Sequence, residues 1–516
     1  MLFRSASAYG ESTSVIKSLS DLAVQGSPDD PHWLDSVKSM LRADSLLLGL
    51  PDEIIDLLAG LSGRVLNSEW VRKLVETFAP PPCAACESPV QGVPTADIDP
   101  ADPWVIANPC AAYAALQTKF GNLVWVPAHR AYWVLDLATA QDMFNRPSDF
   151  VQQASNVGLR GIITLDGSRH TVVRAAVVQS LAIAASRDKV DHYLDAAMTN
   201  ALNKIGRLPQ FDFVASYGSP VPGQVFWDIL GLPPEHREEC GDLAQTMMRH
   251  FGQPEGRGMG DRVVFADASL RLTRRLALLF AQALAASLHP AQSPFRGTLI
   301  GEIASRTQLL FPSANRTMHF DESLLTLVQF VLAGFMSMQF LMGTGMRNLL
   351  TPDPRADRNG QTPWQQLRAL YNPGNPAFDT ALRNALAESR RVDPPVTIVQ
   401  RYAGLNGAKI GNVTIPKDCP IFAVVASAHR DPTFIPEPGQ FHWDRNPQLN
   451  LSLGHGTHEC VGRLLQDWVV PAALTHLLEA MPDLRLCDTE SVPAWLDNLY
   501  FRSLQSLPVS RCYPAV

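Results

Sequence analysis

The segment Leu453-Gly-His-Gly-Thr-His-Glu-Cys-Val-Gly462 sets one cysteine, Cys460, in a glycine-rich loop that runs into an apolar, helix-forming stretch. A thiolate placed just before a helix gains from the unpaired backbone N–H groups and the positive dipole end. At an exposed site that gain is about 0.3 to 1 kcal/mol, too little to keep a bare thiolate ionised in a partly dry pocket. A metal is the better stabiliser. Three readings stand at this point. Cys460 could be a small buried hydrophobe in an ordinary turn. Zinc could be held by His455, His458 and Cys460, although such sites draw ligand pairs from two separated places and no partner pair is evident. Haem iron needs only one axial cysteine, which suits the loop.

Other residues pair at helical spacing. Glu388 and Arg391 stand one turn apart and can form an ion pair, and His170 and Arg174, at i and i+4, face one way and could hold carboxylates. Cys83-Ala-Ala-Cys86 has neither a second pair nor a following histidine, so it reads as two linker cysteines.

These residues need elements to place them. Residues 1–78 carry two short amphipathic patterns, around Leu50–Leu61 and Trp70–Phe78, and read as a small helical extension. Residues 79–103 are proline-rich and read as a linker. From 104 to 516 the pattern gives a helix over Asn108–Phe120, a strand pair over Asn122–Leu135 turning near Pro127 and Ala128, and a helix over Leu137–Asn145. Long helices then run to about 395, followed by a strand-forming region, Val396–Val425, and the Cys460 loop with its helix. A mainly α domain with a minor β region results.

With 43 basic and 50 acidic residues and a net charge of −7, the chain lacks the Lys/Arg excess of a nucleic-acid or anionic-membrane surface. Leu324–Gly343 is apolar enough for a membrane span, but its mid-chain position and lack of basic flanks favour a helix buried in a large core, so no span is expected. Eight scattered cysteines without a secretory signal imply a reduced, cytoplasmic protein.

Taken together, and in their order along residues 104–516, these constellations resemble the cytochrome P-450 family, the haem-thiolate monooxygenases of soluble bacterial type often found in secondary metabolism. The resemblance implies a long central helix over haem b (iron protoporphyrin IX) and a cysteine-ligand loop beneath it. It implies Cys460 as the axial iron ligand, with Gly456 and Gly462 at the tight turn and close helix approach, and Leu453 where phenylalanine is usual. It assigns His170, Arg174, Arg401 and His458 to the haem propionates. Phe441-His-Trp-Asp-Arg445 supplies a second arginine, so that Glu388, Arg391 and Arg445 form a structural triad behind the haem. Ala428-His-Arg-Asp-Pro432 is implied to be scaffold.

The oxygen side departs from the family. Members usually carry Ala/Gly-Gly-x-acid-Thr on the long helix, where this chain has Ala333-Gly-Phe-Met-Ser337. Gly334 would leave room for dioxygen, Met336 cannot relay a proton, and Ser337 can still donate a hydrogen bond. Gln339 is a candidate to order water there. Past the cysteine, Asp467 occupies a place that is commonly basic on the face receiving an electron donor, with Arg463 nearby.

The implied activity is insertion of one oxygen atom from O2 into a small lipophilic or aromatic substrate. Electrons would come from a separate ferredoxin and ferredoxin reductase or similar donor, because the chain has no flavin or nicotinamide fingerprint. The implied pocket comprises Phe150–Ile163, then Val331, Gly334, Phe335 and Met338, then Val396–Val399, then Leu499, Tyr500 and Phe501. Met336 motivates a rival: a peroxide-dependent or redox-neutral haem-thiolate enzyme performing rearrangement, dehydration or radical coupling. A haem-bound sensor or binding protein without turnover is the third possibility.

Overall fold

A computed structural model describes residues 86–100, 102–155, 160–251, 259–308, 315–355, 360–445, 450–489 and 493–511. The expected helical module at 1–78 and Cys83 lie outside the described residues.

Helices Pro103–Ala107 (α1) and Pro109–Phe120 (α2) precede strands Leu123–Val126 (β1) and Ala131–Val134 (β2), which pair antiparallel about the turn at Pro127 and Ala128. Next come Leu137–Asn145 (α3), Phe150–Val151 (β3), Gly167–Ala184 (α4), Arg187–Ile205 (α5) and Gln210–Asp212 (β4). The helical body continues through Pro220–Leu230 (α6), Pro234–His250 (α7), Met259–Ala286 (α8), Leu299–Arg306 (α9), Phe320–Leu350 (α10), Pro363–Leu370 (α11) and Pro376–Val392 (α12). Strands Val399–Ala403 (β5), Ala408–Ile410 (β6), Val413–Ile415 (β7) and Pro420–Ala423 (β8) follow, then Val425–Ala428 (α13), Arg463–Ala480 (α14), Leu484–Leu486 (β9) and Pro508–Arg511 (β10).

Local chemistry sets many of these boundaries. Proline opens α2, α11 and α12, where its fixed φ suits the first turn and its missing N–H costs nothing. Asp136 caps α3 by accepting the Thr139 N–H at 2.9 Å. Glu322, in the first turn of α10, accepts the His319 N–H at 2.8 Å and is ion-paired to Arg160 at 2.8 Å and to Arg169.

Helix α10 is the axis of the fold, packed by α6, α7, α8 and α12. Its most apolar window passes the length and hydropathy test for a membrane span, yet 83% of that window is buried within the protein. Of its 31 residues only Asp321, Ala333, Gly334, Ser337 and Arg347 are not buried. Two of these are near the ends; the other three form one accessible strip in the middle.

The main sheet has the order β1-β2-β8-β5-β3, with β2 and β8 parallel and its other pairs antiparallel. It places Arg401 of β5 opposite Ile421 of β8.

Two expectations are corrected here. The proline-rich stretch is not a free linker from Cys86 onward: Ala96 N–H donates to the Trp125 carbonyl at 2.8 Å, Trp125 N–H to the Pro94 carbonyl at 2.9 Å, and Val93 and Ala96 are buried against the sheet. The alternation of Val and Ala among its prolines supplies enough apolar surface to dock. The cysteines are also not all reduced, because Cys86 is bonded to Cys419, 333 residues away, just before β8.

Candidate active site

Cys460 closes its loop by donating its N–H to the Leu453 carbonyl at 2.8 Å. Gly456 has φ +70°, and a Cβ there would lie 2.9 Å from the Phe144 carbonyl oxygen, so glycine is what lets the loop seat on the end of α3. Gly462 has an ordinary backbone, and a Cβ there would meet only the Cys460 sulfur at 3.7 Å. No protein atom explains its lack of a side chain.

The Cys460 side chain is accessible, yet protein surrounds its sulfur closely enough that desolvation is the largest influence on it and pushes the thiol up. Backbone N–H groups of Gly462 and Arg463 and the charge of Arg174 pull the other way. The effect of burial prevails over those donors. As the loop alone suggested, local dipoles do not suffice to hold a thiolate here.

Beside the loop, the rings of His170 and His458 lie 3.9 Å apart, tilted by 32°. His458 Nε2 meets Asp166 Oδ1 at 3.1 Å at the start of α4. His170 is buried, its Nε2 has no partner, and desolvation followed by the charges of His458 and Arg174 lowers its pKa to about 4. Arg401 is buried over the Phe144 ring at 5.2 Å, donates to the Gln400 carbonyl, and is pulled down to about 10 by burial. Arg174 is half-buried and acts on both His170 and Cys460. Three of the four residues assigned to propionates are thus linked directly, and Arg401 reaches the same place through Phe144 and the charge of Asp166.

The structure brings Glu388, Arg391 and Arg445 together. Arg391 forks across Glu388 with both N···O distances 2.8 Å, and Arg445 Nε stands 3.1 Å from Oε1. Arg391 also donates to the carbonyls of His429, Pro438 and Gln440. One buried ion cluster therefore folds the chain from 429 to 445. Within Ala428–Pro432, His429 accepts the Leu451 N–H at 2.8 Å and Asp431 accepts the Leu137 N–H at 3.2 Å, which is a scaffold role.

On α10 the helical phase revises the pocket. At about 100° per residue, Ala333, Ser337 and Phe340 share one face. Phe340 packs on Phe501 with centroids 6.2 Å apart, and half-buried Phe501 bridges to half-buried Val396. Val331, Phe335 and Met338 share the opposite face, where Phe335 stacks on Trp227 at 4.5 Å; these three are core, not pocket. Tyr500 is also core, enclosed by His129, Phe251 and Phe422. Val399 is half-buried and packs against the sheet. Phe340 and Ala333 were recoverable from the sequence by stepping in threes and fours from Ser337.

Two oxygen-side expectations also change. A Cβ on Gly334 would lie 2.4 Å from the Phe226 ring, so the glycine accommodates α6 rather than a vacancy for dioxygen. Gln339 is buried beside Gly223 of α6, on the side of α10 away from Ser337, and is not placed to order water there. Asp467 is ion-paired to Arg390 at 2.5 Å and near Arg463 at 3.7 Å, so its charge is offset on the surface.

The donor set fits an iron porphyrin. An accessible cysteine, a helix start with no side chain, a buried imidazole nitrogen without a partner and a buried guanidinium suit a metal held by a single thiolate together with two carboxylates. Among the described residues no group of three His, Cys, Asp or Glu could hold a bare metal ion, which removes the zinc reading.

Comparison with known proteins bears on the same residues. Residues 380–493 match the family model "Cytochrome P450". The chain is 27% identical over 362 residues to 6-deoxyerythronolide B hydroxylase of Saccharopolyspora erythraea, covering 69% of this chain and 78% of that one. It is 26% identical over 431 residues to cytochrome P450 monooxygenase PikC of Streptomyces venezuelae, covering 78% and 91%. Cytochrome P450 CYP109Q5 from Chondromyces apiculatus superposes with a TM-score of 0.64 at 20% identity, covering 82% of this chain and all of that one. The chain belongs to the cytochrome P450 family, and is a haem b-binding monooxygenase of that type.

Proposed function

We propose that this P450 oxygenates a lipophilic or aromatic molecule in a hollow bounded by the Ala333/Ser337/Phe340 face of α10, Val396 and Phe501, and that Cys460 is the residue that would ligate the haem iron. Haem, when bound, supplies the iron that activates dioxygen. The observation that carries the assignment is Cys460 itself: accessible, walled by protein, and receiving N–H groups from Gly462 and Arg463. Those donors, with Arg174, moderate the charge on the sulfur and so tune the iron. His170, Arg174, His458 and Arg401 hold the propionates, and the triad fixes the segment behind them. Ser337 offers a hydroxyl at the accessible strip and can hold a proton-bearing water. Apolar Phe340, Phe501 and Val396 favour an apolar ligand.

Electrons come from a separate ferredoxin-type donor meeting the surface near Arg463, where Asp467 is already paired. Cytoplasmic residence belongs to the same proposal. The test is spectroscopic: reduced protein with carbon monoxide should give the red-shifted Soret band of thiolate ligation, and Cys460→Ala should lose it.

A second reading rests on α10. Its accessible central strip holds Ala333, Gly334 and Ser337 and no acid, while Met336 is buried. General acid-base help is worth about 10²- to 10⁴-fold where it operates. Turnover with peroxide, and none with dioxygen and a reductase pair, would favour a peroxide-dependent or redox-neutral enzyme. Reductant-dependent incorporation of labelled dioxygen would remove it.

A further inference from the structure

The C-terminal end of α7 and the turn at 498–501 are joined by one side chain. Helix ends leave carbonyls without intrahelical partners. Here the Asn498 amide nitrogen lies 2.9 Å from the Met248 carbonyl, 3.3 Å from that of Arg249 and 3.1 Å from that of Phe251. Its amide oxygen accepts the Tyr500 N–H at 2.7 Å and the Phe501 N–H at 3.2 Å. Asn498 is 4% exposed, so these bonds are shielded from water.

The two ends of this link also meet through side chains. The Phe251 ring packs on Phe501 at 5.3 Å and on Tyr500 at 5.4 Å. The turn is fixed on its other side, since Thr397 N–H donates to the Tyr500 carbonyl at 2.9 Å and Arg502 N–H to the Pro395 carbonyl at 3.1 Å. A continuous path therefore runs from α7 through Asn498 to Phe501, and from Phe501 to Phe340 on the accessible face of α10.

We propose that Asn498 is a specificity-determining positioning residue: by tying the end of α7 to the backbone of Phe501, it sets where the Phe501 ring stands in the substrate hollow. This rests on the haem-pocket reading above. Asn498 has two separable arms. Its acceptor arm makes a local turn, a service that serine can perform. Its donor arm reaches α7, and serine is too short for that. Asn498→Ser therefore keeps the turn and cuts the long link, whereas Asn498→Ala removes both.

The experiment uses the full-length haem-loaded protein and two iron-binding probes, imidazole and the bulky azole clotrimazole. Haem content and the reduced carbon-monoxide spectrum are measured first, then both affinities from the Soret shift. Asn498→Ser should load haem and bind imidazole within twofold of wild type, yet bind clotrimazole about five- to tenfold more weakly. That is the scale of one lost aromatic contact. Phe501→Ala should reproduce the effect, and so gives the same answer if Asn498→Ala fails to fold. Wild-type clotrimazole affinity in Asn498→Ser, or an equal loss for both azoles, would overturn the proposal. Absence of any azole shift in the wild type would overturn the haem reading and the proposal with it.

Discussion

His170 and His458 stand ring against ring, 3.9 Å between centroids, with Asp166 holding the far nitrogen of His458. Two imidazoles so close cannot both carry charge cheaply, and desolvation together with His458 and Arg174 already brings His170 down to about 4. Two carboxylates entering this space would supply what the pair lacks. A charge-assisted hydrogen bond contributes about 1.5 to 3 kcal/mol. Loss of haem to excess apomyoglobin should accordingly speed up by roughly ten- to a hundredfold in His170→Ala or Arg401→Ala. Unchanged transfer rates in both would exclude these residues as propionate partners.

The buried Glu388–Arg391–Arg445 cluster should be intolerant of single deletion. Removing one partner of a buried pair leaves an uncompensated charge, at a cost of about 3 to 5 kcal/mol. Glu388→Ala is expected to give little soluble holoprotein, seen as a collapsed ratio of Soret to protein absorbance. Arg391→Lys should not rescue the site, since an ammonium cannot span both carboxylate oxygens and three carbonyls. A stable, fully haem-loaded Arg391→Lys protein would show that the fork geometry is dispensable.

Much of this site was legible because its parts are local. The Cys460 loop, the i,i+3 pair Glu388/Arg391 and the i,i+4 pair His170/Arg174 each lie within one turn or loop, where spacing fixes geometry. Arg445 and Arg401 came only through resemblance, as their partners are far away in sequence. The pocket residues on α10 failed for a different reason. A helix apolar on every side gives no phase, so Val331, Phe335 and Met338 looked as suitable as Ala333 and Phe340 until Trp227 and Phe501 were seen on opposite faces. Cys86–Cys419 and the reach of Asn498 to α7 are long-range pairings that no local pattern marks.

Acid should destabilise the fold through two buried histidines. His429 accepts the Leu451 N–H at Nε2, and burial, then the charges of Arg391 and Arg430, lower it to about 3. Burial alone does the same for His129, whose ring nitrogens have no partner. A folded pKa below the unfolded value near 6.5 means stability that is complete above about pH 6.5 and is lost as pH falls toward 3. The loss is about 1.4 kcal/mol per pH unit per histidine, so each removes roughly 2 kcal/mol by pH 5. Thermal unfolding should show a lower midpoint at pH 5 than at pH 7. His429→Gln, whose amide oxygen can still accept from Leu451, should flatten that dependence; an unaltered slope would show that His429 does not titrate in this way.

Gly334→Ala tests the packing role of that glycine. The added carbon would lie 2.4 Å from Phe226, and overpacking of this kind costs about 1 to 3 kcal/mol. Pairing it with Phe226→Leu should recover part of the loss, because the two residues share one space and their effects should not add. Additive losses in the double variant would place the strain elsewhere.

The Cys86–Cys419 bond ties the start of the described chain to the strand that faces Arg401, since Cys419 immediately precedes β8 and its carbonyl accepts the Ala403 N–H at 2.9 Å. A cross-link closing so long a loop limits the unfolded chain strongly, by about 6 kcal/mol in the chain-entropy account, while removing a native disulfide typically costs about 2 to 5 kcal/mol. Protein purified with alkylation from the moment of lysis should carry no label on Cys86 or Cys419, while exposed Cys487 and the haem-free Cys460 should react. Cys419→Ala should lower the thermal midpoint by several degrees and also speed haem release, because the loosened strand, β8, pairs with the one that carries Arg401. Quantitative labelling of both cysteines at lysis would show that the bond does not form in the cell, as the reducing potential of a cytoplasm would favour.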